Sequence, residues 1–342
     1  MEYQVIWFVL WGLLWAVYFM TDGFDLGVGI LLPVLGGDDD ERRVMLHTVG
    51  PVWDGNEVWL VTAGGATFAA FPGVYALLFS TLYTPLLLVL FALIVRGVGF
   101  EFRGKGTTES WKQRWDTAIS ISSTLIAFLF GVTFGNLFVG LPIDANGYRG
   151  GLVGLLNLYG LLTGILFLLL FAVHGALWLA WKTDGKLAVR AAEFAGKAWA
   201  ALTVFLFLFL LYTASATGLD RNFVVFPILL GFPLAALAAL AAIRFFLGRG
   251  RFLWAFLASC AAVLMTVSTG IAGLFPNLIP SRLDPAYSAT LFNASSSPYT
   301  LKIMTVVVMV FVPMVIAYQI WVYRVFRHKV NASELAKDED GY

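Results

Sequence analysis

The sequence is short of charge, of cysteine and of histidine. Of its 342 residues only 13% are Asp, Glu, Lys or Arg, about half of the roughly 25% found in a soluble domain. Hydrophobic residues make up 60% of the chain and the mean hydropathy is +0.83. A water-soluble enzyme is excluded, and the chain reads as an all-α integral membrane protein. The net charge of +1 excludes the basic surface that a nucleic-acid binder needs. The single cysteine, Cys260, excludes a disulfide framework and any Cys-rich zinc or iron–sulfur site. There are three histidines, His47 in the first loop, His174 in a predicted span and His328 in the tail. A bis-His haem needs two ligands at membrane depth, and only His174 is there. A lone membrane histidine is more often hydrogen-bonded packing than a ligand. Methionines within spans (Met20, Met265, Met304, Met309, Met314) leave His–Met ligation formally open, but no convincing haem or copper site is read on this chain.

Long apolar runs fill the space that charge leaves. Crossing a bilayer takes about 20 residues of helix. Tyr3–Thr21 is one span. No charge falls between Glu57 and Arg96, and Pro72-Gly73 breaks that stretch into a hairpin of two spans. Two full spans need about 40 residues, so the first must begin near Pro51, which puts Asp54 and Glu57 inside it. Further spans are read at Thr117–Ile143, Gly150–Trp181, Ala198–Leu219, Asn222–Ile243, Phe252–Ser281 and Ile303–Tyr323. The span from Phe252 should stay helical only to about Leu274, because Pro276 and Pro280 end it. Pro313 should kink the last span without breaking it. The expectation is nine transmembrane helices in a single polytopic domain over residues 1–330, with an acidic, disordered tail over 331–342. No fixed-period repeat is visible.

Orientation follows from the basic residues. With nine spans, Arg42, Arg43, Arg96, Arg103, Lys105, Lys112, Arg114, Lys182, Lys186, Arg190, Lys197, Arg244, Arg249, Arg251, Arg324, Arg327, Lys329 and Lys337 share one side. Only Arg149, Arg221, Arg282 and Lys302 remain for the other. The N-terminus is therefore expected outside and the C-terminus in the cytoplasm. The first helix does not read as a cleaved signal peptide, since the chain opens Met1-Glu2 and no small-residue cleavage site follows.

Four acids fit neither loops nor tail. Asp22 and Asp25 close the first span, and Asp54 and Glu57 open the second. A spacing of i, i+3 puts each pair on one helical face. An ionised carboxylate within a bilayer costs on the order of 3 kcal/mol even on the lenient insertion scale, and a carboxyl group taken out of water can carry a proton near neutrality. One reading is a proton-conducting set opening to the cytoplasm. The other is ordinary helix-end chemistry, with Asp54 and Glu57 favouring a helix N-terminus. Position alone leaves both open, although Asp25 at a helix C-terminus would be unfavourable. Gly23 with Gly27, and the run Ala63-Gly64-Gly65-Ala66, are small-residue stripes that let helices approach closely. They are no dinucleotide fingerprint, since no strand precedes them. Trp7, Trp11 and Trp15 form a stripe read as packing against lipid or a neighbouring subunit. Arg96 and Arg103, flanking Gly97-Val98-Gly99-Phe100-Glu101, are read as partners of loop acids, the alternative being a solvated loop.

At these residues the chain resembles subunit II of cytochrome bd-type quinol oxidases. The matching segments are Thr21-Asp22-Gly23-Phe24-Asp25-Leu26-Gly27-Val28-Gly29, Glu41-Arg42-Arg43, and Trp53-Asp54-Gly55-Asn56-Glu57-Val58-Trp59-Leu60. Ala63-Gly64-Gly65-Ala66, Arg96-Gly97-Val98-Gly99-Phe100, Phe134-Gly135-Asn136-Leu137, Gly270-Ile271-Ala272 and Asn293-Ala294-Ser295-Ser296-Ser297 continue the match in order from first helix to last. The resemblance implies nine helices as two four-helix bundles plus one peripheral helix. It implies a haem-bearing subunit I as partner, which carries haems b and d, and a complex of the bacterial cytoplasmic membrane that oxidises quinol and reduces dioxygen with cytoplasmic protons. This chain alone would be inactive. Asp25 and Asp54 would belong to the proton route, supported by Asp22 and Glu57. Many relatives have glutamine at the position of Glu57, so its carboxylate would be an addition to that route. Some members also hold a quinone in this subunit, and small accessory subunits join some complexes. Two other classes compete. A proton-coupled secondary transporter also carries intramembrane carboxylates, but would show a matching set in its second half. A scaffold would use the acids only as helix caps.

Overall fold

The computed structural model describes residues 2–331. The tail expected to be disordered therefore lies, apart from Asn331, outside the described residues. Twelve helices follow in order: α1 (Glu2–Leu35), α2 (Asp39–Val49), α3 (Trp53–Ala70), α4 (Pro72–Thr81), α5 (Tyr83–Arg103), α6 (Glu109–Val139), α7 (Leu158–Lys182), α8 (Gly185–Ala216), α9 (Asp220–Val225), α10 (Gly231–Leu247), α11 (Phe252–Leu274) and α12 (Pro298–Val325). Two small antiparallel hairpins join them, β1 (Ile143–Asp144) with β2 (Gly147–Tyr148) and β3 (Asn277–Ile279) with β4 (Ala289–Thr290). Among the described residues, eight helical segments are long and apolar enough to cross a membrane. The remaining expected span falls on α3. Its 18 residues rise about 27 Å, close to a hydrocarbon core of about 30 Å, but Asp54, Asn56 and Glu57 leave it too polar to count by composition.

Prolines set several ends as expected. Pro72 opens α4 at a position where a missing N–H costs nothing, and α11 stops at Leu274 just before Pro276. Pro313 lies inside α12. One break was not foreseen. The predicted third span is split at Leu82, because the ring of Pro85 would clash with the carbonyl four residues back, at Thr81, where α4 ends.

Helix α1 runs through the middle of the chain's packing, against α2, α3, α6, α7, α11 and α12. It is 34 residues long, well past the expected end at Thr21. Asp22 and Asp25 are consequently interior residues and not helix-end groups. The first loop, too, is largely helical, with His47 on α2. Gly27 meets the Phe171 carbonyl and Gly175 on α7, so neither helix could carry a side chain at this crossing. Gly64 and Gly65 face open space within this chain, so these two glycines make no close helix contact here, although Ala63 beside them is fully buried. The tryptophan stripe is also different from expectation. Trp7 and Trp11 are buried inside the chain, where their indole N–H groups find Leu301 and Thr305 on α12 and Thr67 on α3.

Candidate proton-transfer site

The passage of α1 through the core carries Asp22 and Asp25 to full burial, both with 0% exposure. Asp22 accepts from the Tyr18 hydroxyl at 3.0 Å, one turn back on the same helix. Its other oxygen accepts from Arg96 Nη2 at 2.5 Å. The same Nη2 donates to Glu57 Oε1 at 2.6 Å. Arg96 is thus not a loop base. It sits within α5, fully buried, bridging α1 to α3. A lone buried charge costs several kcal/mol, and the two carboxylates offset that cost for the guanidinium. Glu57 is the cluster's outward end, its side chain 24% exposed.

Asp25 has different neighbours. Its Oδ2 accepts from Asn56 Nδ2 at 2.7 Å, and Asn56 Oδ1 in turn accepts from the Tyr323 hydroxyl at 2.8 Å. Asp25 Oδ1, Arg96 Nε and Arg96 Nη1 are buried and have no hydrogen-bond partner. Buried polar atoms of this kind are where ordered water sits in proteins. The arrangement holds three carboxyl groups, a guanidinium and two phenol hydroxyls in one buried polar island, which can store and hand on protons.

Three of the four expected acids, Asp22, Asp25 and Glu57, meet in this island. Asp54 does not. It lies exposed in the first turn of α3, with no ion pair among the described residues, one helical turn from Glu57. Sequence reasoning missed Tyr18, Asn56, Arg96 and Tyr323 as members. Asn56 lies inside the quoted motif between Asp54 and Glu57, and its placement could have been read from helical spacing. Tyr323 is 267 residues from its partner Asn56, and no sequence signal points to it.

His174 is buried with both ring nitrogens engaged, Nδ1 with Ser259 Oγ at 2.6 Å and Nε2 with the Met20 carbonyl at 2.9 Å. A metal would have to displace one of these bonds. Among the described residues no group of three His, Cys, Asp or Glu could hold a metal ion. Arg103 does pair with a first-loop acid, as expected. It donates to Asp39 on α2 at 2.7 Å and to Asp116 on α6 at 2.5 Å, and Lys112 joins Asp39 at 2.5 Å. Burial pushes the Asp39 carboxyl up, but the hydrogen bonds from Lys112 and Arg103 prevail and hold it below the usual carboxylate range.

The profile of the family described as cytochrome bd terminal oxidase subunit II matches residues 3–326. Cytochrome bd ubiquinol oxidase subunit 2 of Bacillus subtilis is 38% identical, covering 96% of this chain and 97% of the relative. The corresponding bd-I subunit 2 of Escherichia coli K12 is 35% identical, with 98% of each chain covered. A bd oxidase structure from Geobacillus thermodenitrificans superposes with a TM-score of 0.76 at 19% identity, covering 95% of this chain and 99% of that one. That likeness establishes the fold.

Proposed function

The chain belongs to the cytochrome bd terminal oxidase subunit II family, and from that premise we propose that it is the non-haem subunit of a quinol:oxygen oxidoreductase in a bacterial cytoplasmic membrane. In this reading its partner is a haem-bearing subunit I, which carries haems b and d and performs the redox chemistry. The present chain supports that subunit and supplies part of the route by which cytoplasmic protons reach the oxygen-reducing haem. The engagement of both His174 nitrogens supports haem being the partner's. The nine-span topology, with the N-terminus outside, follows if α3 is counted as the second span. The central stretch of α12 is without buried residues, which supports α12 as the helix peripheral to two four-helix bundles. Accessory subunits, lipid and a structural quinone are further members of this proposed assembly.

The observation that carries the proton-route reading is Asp25. It is a fully buried carboxyl group with one oxygen unpartnered, beside a second buried carboxyl group whose charge Arg96 balances. A purely structural carboxylate would be expected to have both oxygens satisfied. Asp22 and Glu57 support it through Arg96, and the exposed Asp54 is placed to collect protons at the surface one turn from Glu57. A secondary transporter would need a second set of carboxylates elsewhere; among the described residues the one buried acid outside this island is Asp116, which is paired with Arg42 and Arg103. The test is the intact complex carrying Asp25→Asn, and separately Asp54→Asn. Haem content and the reduced-minus-oxidised visible spectrum should be unchanged, while quinol-driven oxygen consumption falls about a hundredfold or more, the lower range for loss of a proton-transfer group. Normal turnover with haems present would overturn the relay.

A further inference from the structure

The ends of α2, α7 and α12 that the proposed orientation puts on the cytoplasmic side leave a cavity of about 180 Å³ between them. At ~30 Å³ per molecule that is room for about six waters. Its walls are mixed in character. His47 and Thr48 of α2, Val52 before α3, Lys182 of α7, Tyr323 of α12 and His328 beyond it all line the space. Residues 326–330 lie across it as a strap. Lys182, itself buried, donates to the carbonyls of Phe326 and His328, the latter at 2.5 Å. Val330 N–H returns a bond to the Lys182 carbonyl at 2.8 Å, and Lys329 pairs with Asp184 at 2.6 Å. The strap is therefore fixed by backbone and ionic contacts and leaves the polar space beneath it open.

Tyr323 belongs both to this cavity and to the buried island. It lines the cavity, and its hydroxyl donates to Asn56, which donates to Asp25. We infer that this cavity is the water-filled mouth through which cytoplasmic protons approach Asp25, with Tyr323 as its floor and the Asn56 amide as the gate. The inference rests on the proton-route reading and adds an access path within this chain. An amide donates and accepts hydrogen bonds but has no titrating proton near neutrality. While Asn56 bridges Tyr323 and Asp25, it insulates them. A proton crosses when water from the mouth meets the unpartnered Asp25 Oδ1, which requires the amide to swing aside.

Cysteine accessibility in the assembled complex tests this directly. Cys260 is the sole cysteine and is replaced by Ser to give a background without thiols. Val52→Cys, and Thr48→Cys as a second variant, place a thiol on the wall. His328→Cys serves as the exposed control and Ala255→Cys, on α11 and fully buried, as the inaccessible one. A small cationic methanethiosulfonate is applied to inverted and to right-side-out membrane vesicles. The wall thiols should react from the cytoplasmic face at a rate near that of His328→Cys, while Ala255→Cys stays unmodified. Once labelled, the wall variants should lose oxygen consumption about a hundredfold or more, as expected for a blocked proton path, with haem spectra unchanged. Wall thiols that do not react while His328→Cys does would show a dry cavity and overturn the inference. Labelling that leaves turnover intact would overturn it as well. If Asp25→Asn is slow in that case, the relay stands and only its mouth is elsewhere; if Asp25→Asn is normal, the relay itself has failed.

Discussion

Arg96 holds the island together through a single atom. Nη2 reaches both Asp22 and Glu57, while Nε and Nη1 reach nothing. Removing the guanidinium strands buried carboxylates, and breaking such a pair costs about 3–5 kcal/mol. Arg96→Met should therefore sharply lower the yield of haem-loaded complex. Because one nitrogen makes both contacts, an ammonium with three donors can stand in for it. Arg96→Lys should restore most of that yield, measured by haem content per milligram of purified complex. His174 gives a second expectation at this scale. Its imidazole joins α1, α7 and α11 through Met20 and Ser259. His174→Phe should lower the thermal midpoint by the loss of buried hydrogen bonds, about 1–3 kcal/mol, and leave every haem band in place. A lost band would make His174 a ligand.

Helix crossings are decided by glycine where backbones touch. A Cβ at Gly175 would meet the backbone of Gly27 and Val28, and one at Gly27 would meet the backbone of Phe171 and Gly175. Backbone cannot yield as a side chain can, and overpacking of this sort costs about 1–3 kcal/mol or more. Gly175→Leu should prevent accumulation of the folded chain in membranes. Gly64→Ala faces open space in this chain and should shift the thermal midpoint of the solubilised chain by little, within about 0.5 kcal/mol. The two glycines read alike as small residues in apolar helices. Their difference is one of rotation about the helix axis, which places Gly175 on the crossing and Gly64 on an outer face.

For the molecule as a whole, the ends of α2, α5 and α6 are tied by Asp39, Arg103, Lys112 and Asp116. The Asp39 carboxyl is held below its usual range in the folded protein. A lowered folded-state value favours folding once the group is ionised, and that contribution is complete above the unfolded value and disappears as pH falls through the folded one. The thermal midpoint of the complex should accordingly drop as the pH falls below the usual carboxylate range, about pH 4. Asp39→Asn should be less stable at neutral pH and show a smaller drop.

Composition alone determined that this chain lives in a bilayer, because 13% charge cannot clothe a soluble surface. Proline placed the ends of α3 and α11, since its ring and missing N–H act locally. The pairs Asp22 with Asp25 and Asp54 with Glu57 stood out because acids in apolar runs are costly wherever the helices go. Tertiary structure decided the rest. Helix α1 carries on past Asp25 to Leu35 because Arg96 on another helix balances Asp22, an interaction between residues 74 positions apart. The rotation of α3 turns Asn56 and Glu57 inward and leaves Asp54 outside. Tyr323 joins the island from the far end of the chain. Burial cost is local and so is legible in sequence; the compensating partner is chosen by packing, and the order of residues along the chain does not encode which distant helix will supply it.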